Sequence, residues 1–167
     1  PESDTRNYRR DSGEQLYRRS MYTFWKRAAP PASMDIMNAP SRETCTVKRE
    51  RTNTPLQALA TLNDPQFIEA ARRLAETALL DGGASDSQRI DFIARRLLSR
   101  TLRDEERAVI AGVLADLREH YQAAAEAAKA LISVGESDVR ETLDPSLLAS
   151  YTMVVNQMMN LDEVLNK

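Results

Sequence analysis

Three dipeptides punctuate this chain: Thr54-Pro55, Asp64-Pro65 and Asp144-Pro145. Each sets a short polar side chain before a proline. The side-chain oxygen accepts a hydrogen bond from an N–H of the first helical turn, and proline at the first helical position has no N–H to leave unpaired. Each pair therefore marks a helix start. With five glycines and 5% aromatics in 167 residues, and with Ala, Leu, Arg and Glu abundant, the composition points the same way. The expected class is all-α, an irregular bundle of about five to six helices behind a long N-terminal polar loop.

Hydrophobic spacing fills in the elements. A short helix is expected over about Pro55–Leu62. A longer one covers about Pro65–Leu80, with Phe67, Ala70, Ala71, Leu74 and Ala78 on one stripe and Gly82-Gly83 as its stop. Ser85 caps a third helix over about Asp86–Ser99, burying Ile90, Ile93, Leu97 and Leu98. A fourth opens at Asp104, where acidic residues meet the positive helix end, although Arg103 stands where a small capping residue is expected. Its stripe is Val109, Val113, Leu114, Leu117 and Tyr121, and the Ala-rich stretch to Val134 either continues it or forms a separate helix after a bend. Arg118 reads as a plain surface position. The last helix starts at Pro145 and carries Leu147, Leu148, Tyr151, Val154, Val155, Met158 and Met159, with Leu161 and Leu165 docking the end.

The N-terminal third is different. Residues 1–13 are polar and without period. Glu14–Ala28 has Tyr17, Met21, Phe24, Trp25 and Ala28 at helical spacing, which predicts a helix burying Phe24 and Trp25; a basic aromatic patch facing a partner is the other reading of Arg18–Arg27. Ala29–Asn53 holds three prolines and many Ser, Thr and Asn residues, so an extended loop is expected. A structureless loop of about 25 residues is functional or disordered more often than incidental.

The net charge of −2 makes no general case for nucleic acid or membrane surfaces, but it hides an asymmetry. Residues 1–53 carry 11 Lys/Arg against 7 Asp/Glu, a balance of +4, whereas residues 54–167 carry 12 against 18, a balance of −6. The single cysteine, Cys45, excludes an internal disulfide and is silent on compartment. No apolar run reaches the roughly 18 residues of a membrane span. The start at Pro1, without methionine, reads as a piece of a longer protein. The length fits one helical domain over residues 1–167.

Little of the sequence carries recognisable chemistry. C-x-x-C-H is absent, and His120 with Met153, Met158 or Met159 as axial haem ligands is weaker than the reading of those methionines as core. One His and one Cys have no zinc spacing, and Asp104/Glu105/Glu106 and Asp162/Glu163 read as helix-start or surface charges. No organic cofactor, haem or metal is expected. Lys48, Arg49 and Arg51 beside Cys45 suit a lowered thiol pKa, but a packed or inert thiol is the plainer reading. The same basic run, with Arg42, lacks the interleaved aromatics of a nucleic-acid site. It reads best as a fastener, with Arg49 or Arg51 bonding a carboxylate or several carbonyls of the domain itself. Thr52, Asn53 and Thr54 before the Pro55 helix leave anion or partner binding open.

Two stretches resemble a known family. Arg18–Glu76, including TCTVKRERTNTPLQALATLNDPQF, and the ending DPSLLASYTMVVNQMMNLDEVLNK are similar to a planctomycete-type family of unknown function (family 1553). In that family this domain follows cytochrome c-like modules in large proteins. The resemblance implies an extracytoplasmic location, a multidomain parent, and a chain that is the C-terminal part of a longer family domain. It supplies no reaction. The residues here that match its densest motif are Arg42, Glu43, Cys45, Arg49, Arg51, Thr52, Asn53, Thr54, Pro55, Gln57, Asn63 and Asp64, which together form the candidate functional surface.

Two functions follow. The first is a non-catalytic interaction or scaffold module whose partners are other domains of the parent chain, or a protein or carbohydrate. The alternative is an enzyme domain, such as a polysaccharide-related hydrolase, with carboxylates near Glu43, Glu50 and Asp64 supplying acid and base. That chemistry needs two carboxyl groups about 5–10 Å apart across a cleft.

Overall fold

The computed structural model describes residues 7–26 and 29–166. It is helical, and among the described residues there is no strand, only an isolated bridge between Lys26 and Ala29. Among the described residues eight α-helices follow in order: α1 (Ala32–Ile36), α2 (Pro55–Asn63), α3 (Pro65–Asp81), α4 (Asp86–Leu98), α5 (Asp104–Ala123), α6 (Ala125–Ile132), α7 (Pro145–Met159) and α8 (Asp162–Leu165). Two short 3₁₀ turns, Gly13–Tyr17 and Ser20–Tyr22, precede them. Contacts divide the chain into two compact units, Pro1–Gln57 and Ala58–Lys167. No described helix is long and apolar enough to cross a membrane.

The cap-proline starts fall where the residues demand. Asp64 accepts from the Gln66 N–H and Asp144 from the Leu147 N–H. Ser85 and Gln88 form a reciprocal capping box. At α5 the Glu106 carboxylate accepts from the Arg103 backbone N–H at 2.9 Å. It thus supplies half a capping box without a small residue at the cap, and α5 starts at Asp104 despite the arginine. The Ala-rich stretch does bend: Ala124 leaves helical geometry and separates α5 from α6.

In the C-terminal unit α7 is the hub. It packs on α3, α5 and α6, and more lightly on α4 and α8. Nine of its fifteen residues are buried, so it is covered over most of its circumference, as a central helix is. Ser150 and Thr152 sit inside that core because each hydroxyl donates to the carbonyl four residues back. The facing side of α3 presents Ala71, Ala75 and Ala78, all fully buried, and small side chains let two helix backbones approach closely. Asn156 of α7 donates to the Thr61 carbonyl of α2, and the Thr61 hydroxyl bonds Asn160.

The polar core of this unit lies on α3. Arg72 is 1% exposed and donates to Glu76 Oε1 (2.8 Å), to the Ser137 carbonyl (2.7 Å) and hydroxyl (2.8 Å), and to the Asp138 carbonyl (3.2 Å). Glu69, also buried, accepts from the backbone N–H groups of Glu136 and Ser137. Gly135 completes the turn at φ +103, and a Cβ there would collide with the Glu69 carboxylate.

A second polar junction joins three helices. Arg118 of α5 forks onto Asp86 of α4 through two 2.6 Å bonds, and the buried Tyr151 of α7 donates to the same carboxylate at 2.7 Å. Arg118 is therefore a structural partner, not the plain surface position its sequence context suggests. The Arg118 bond, helped by Tyr151, holds the Asp86 carboxyl below its usual range against the opposing effect of burial. Burial, then the bond to Asp86, pushes the Tyr151 hydroxyl up to about 12.

Two expectations follow. Arg72→Ala leaves Glu76 with Arg73 as its one cation and strips the Ser137 and Asp138 carbonyls of the guanidinium, and should cost about 3–5 kcal/mol of unfolding free energy. Arg73→Ala removes a half-exposed partner of the same Glu76 and should cost less than about 1 kcal/mol; urea midpoints compare them. The Asp86–Tyr151 pair should give a stability profile sloping at both ends. A depressed carboxyl contributes above its unfolded pKa near 3.9, and that contribution is lost as pH falls through the lower folded value. A raised phenol contributes below about pH 10 and loses its contribution as pH rises towards about 12. Tyr151→Phe should flatten the alkaline limb, and an unchanged limb would contradict the assignment.

Candidate functional site

The N-terminal unit is built from polar clasps. The Tyr8 hydroxyl donates to the Ala29 carbonyl and accepts from the Lys26 backbone N–H, and the Lys26 ammonium lies over the Tyr8 ring at 4.8 Å. The spacing of Tyr17, Met21, Phe24 and Trp25 does not give the expected helix. Gly13–Tyr17 and Ser20–Tyr22 are single 3₁₀ turns followed by extended chain, and Ala28 lies outside the described residues. A helix there needs a core to receive its apolar face, and none is supplied: Tyr17, Met21, Tyr22 and Phe24 are exposed, Phe24 by 71%. Trp25 alone is half-buried.

The polar loop is closed at its base by amides. Thr54 and Gln57 form a capping box at the start of α2: the Gln57 N–H reaches the Thr54 hydroxyl, and the Thr54 N–H reaches the Gln57 side-chain oxygen. The Gln57 side-chain N–H₂ then donates to the Ile36 carbonyl (2.9 Å) and the Thr52 hydroxyl (2.8 Å). Asn38 donates to the same hydroxyl and weakly to the Glu50 carbonyl. Asn38 sits at φ 54, where an asparagine turns the chain beyond α1 at little cost. Residues 38 and 52 are thereby clasped, and the chain between them projects as a compact loop.

The fastening arginine is Arg42. Its guanidinium donates to the Ser20 (3.0 Å) and Thr23 (3.3 Å) carbonyls and stacks over the Trp25 ring at 5.0 Å. It does so from a left-handed backbone, φ 64, which an arginine adopts only under constraint. Arg49 and Arg51, expected to fasten the loop, do not. Both are exposed, and neither makes a hydrogen bond or ion pair among the described residues. The flanking chain already holds the loop, so their guanidinium groups are left to solvent.

The remaining candidates separate by role. Glu43, Cys45 and Asn53 are exposed on the loop, and Thr52 and Gln57 are its clasp. Asn63 donates to the Leu59 carbonyl and Asp64 caps α3, so both act at helix ends of the C-terminal unit. Asp64 spends a carboxylate oxygen on its cap, while Glu43 and Glu50 stand on the exposed loop. The cavities described in this molecule are lined by none of these three carboxylates. No group of three or more His, Cys, Asp or Glu gathers among the described residues. The arrangement presents cations and aromatic rings, a surface suited to contact.

The roles of Arg42 and its neighbours separate in stability. Arg42→Ala strips the Thr23 carbonyl and the Trp25 ring of the guanidinium, leaves the Ser20 carbonyl with the Thr23 N–H alone, and should cost about 1–3 kcal/mol. Arg49→Ala and Arg51→Ala should stay within about 0.5 kcal/mol of the parent. Urea unfolding followed in the N-terminal unit checks all three, and a fall for Arg49→Ala matching that of Arg42→Ala would reverse the assignment.

One family model matches residues 1–114, described as PSD1, protein of unknown function (DUF1553). The match takes in the whole N-terminal unit and runs through α4 into α5; the ending from Asp144 lies beyond it. Searches of the curated proteins and of the solved structures find no match. Because the matched span is well over half of the chain, the chain belongs to the PSD1 family of proteins of unknown function (DUF1553).

Proposed function

We propose that this chain is a non-catalytic interaction module whose N-terminal unit docks an acidic protein surface, with the partner supplied by another domain of the same parent chain. The observation that carries this reading is the contrast between two sets of arginines. In the C-terminal unit seven of the ten arginines, Arg72, Arg73, Arg89, Arg100, Arg103, Arg107 and Arg118, pair with carboxylates of the unit itself, and Arg96 of the other three stacks over Phe92. On the clasped loop Arg49 and Arg51 pair with nothing among the described residues, yet the backbone that carries them is held at both ends.

A held loop with unsatisfied cations keeps its charges at defined places, so an acidic partner meets them with little ordering to do. The exposed Tyr17, Met21, Tyr22 and Phe24 of the same unit add the apolar area that gives such contacts their strength. The balance of +4 over residues 1–53 fits an acidic counterpart. The family resemblance supports placing the module in an extracytoplasmic parent beside cytochrome c-like modules.

The test titrates this chain with the remainder of the parent protein, expressed separately. Arg49→Glu/Arg51→Glu should weaken binding at least about tenfold, or about 1.4 kcal/mol, with its urea midpoint unchanged. Raising salt from about 50 to about 300 mM should weaken the parent chain's binding and scarcely alter the double variant's. Phe24→Ser should weaken binding at both salt concentrations. Binding indifferent to all three changes would refute the docking surface.

A further inference from the structure

The C-terminal unit holds a feature that the docking surface does not use. A groove of about 330 Å³ opens between the end of α4, the middle of α5 and the last turns of α7. Its walls are Leu98, Leu102, Ile110, Val113, Val154 and Met158. Four of these, Leu98, Leu102, Val154 and Met158, are buried and belong to the core, so the floor is rigid. The rim is apolar too: Val109 is 68% exposed and Leu161 43%. The size and apolar lining are those of small-molecule pockets, which add a few polar groups to set orientation.

Charge selects among possible occupants. Arg100 stands at the rim and donates to both Glu106 and Glu163, and Arg103 donates to Glu106 as well. Two guanidinium groups and two carboxylates thus cancel locally. The bonds from Arg100 and Arg103 keep the Glu106 carboxyl well below the usual carboxylate range, so the cancellation persists at neutral pH. No cation is left for an anionic ligand, and no carboxylate for a cationic one. Gln157 is the one uncharged polar residue of the lining, and its side-chain amide makes no hydrogen bond among the described residues.

We propose that this groove binds an uncharged aliphatic molecule of medium chain length, its chain laid over the Leu98–Met158 floor and its single polar group bonded to Gln157. An acid of the same chain would bring a carboxylate to a rim whose arginines are already taken, and an amine would meet carboxylates already neutralised. Discrimination against both charged forms is therefore the signature of the site.

Octanol, octanoate and octylamine test it, each titrated into the intact chain while the thermal midpoint and amide chemical shifts are followed. Octanol should raise the midpoint in a saturable way and shift amides of Ile110, Val113 and Met158. The two charged homologues should bind at least tenfold more weakly. Val109→Trp, at an exposed rim position that tolerates size, should abolish the octanol response, and Leu161→Trp gives a second obstruction from the other edge. Gln157→Ala should weaken octanol and leave octane unchanged. No saturable response, a response as large in both tryptophan variants as in the parent chain, or octanoate as tight as octanol would overturn the proposal. Sedimentation as a dimer that Val109→Trp dissociates would also overturn it, by assigning the groove to a second copy.

Discussion

The architecture of the C-terminal unit depends on one buried arginine. Arg72 sits on the face of α3 that looks into the protein and reaches residues about 65 positions later in the chain. With Glu69 and Glu76 it receives the turn at 135–138, where the chain leaves α6 and heads for α7. Burying a guanidinium and two carboxylates is expensive, and apolar replacements of the same volume are often as stable. What the network adds is direction. Its donors and acceptors match only when the turn lies in one register, with Gly135 against Glu69, and that register places the apolar α7 between α3, α5 and α6.

The two units are stabilised by different means. The C-terminal unit buries aliphatic side chains around α7, the dominant source of folding free energy in a helical bundle. The N-terminal unit has little of that to draw on. Its large apolar residues stand mostly in solvent, and its shape comes from Tyr8, Asn38, Arg42, Thr52 and Gln57 bonding to backbone groups and to one another. Such bonds are directional and individually modest. They position a loop well without consuming the apolar and cationic surface around it.

What could be read in the sequence was what is decided locally. Helix starts at Pro55, Pro65, Asp86 and Pro145 were legible because a cap and its receiving N–H lie within three residues. The break at Ala124 has no such local signal, since alanines alone do not say where a helix bends. The helix expected over Glu14–Ala28 failed for an instructive reason. Helical spacing says that side chains would share a face, not that any surface waits to bury it. Arg72 and Arg73 are adjacent and chemically identical, yet one is buried and the other half-exposed; only the partner at 137–138 distinguishes them. The loop shows the same limit. The basic run suggests an arginine fastener, and one exists, but it is Arg42, because the Trp25 ring and the Ser20 and Thr23 carbonyls lie within its reach. Asn38 gave no signal beyond its tolerance of a left-handed turn. Gln57 was readable as half of a Thr-x-x-Gln capping box, although its second pair of bonds was not.

The two proposed surfaces answer to different physics, and this decides how far they can interfere. Attraction between the basic loop and an acidic partner is long-ranged, salt-dependent and strongest in forming the encounter. The groove's rim is neutralised internally by Arg100, Arg103, Glu106 and Glu163, and apolar burial falls to nothing beyond contact, so occupancy there is indifferent to salt. A ligand in the groove would stiffen α5 and the last turns of α7, elements of the unit built on hydrophobic packing. The loop's geometry is set by hydrogen bonds within the other unit. The proposed partner contact and the proposed apolar ligand therefore answer to separate variables: salt and charge reversal at Arg49 and Arg51 for the first, and ligand charge and bulk at the Val109 rim for the second.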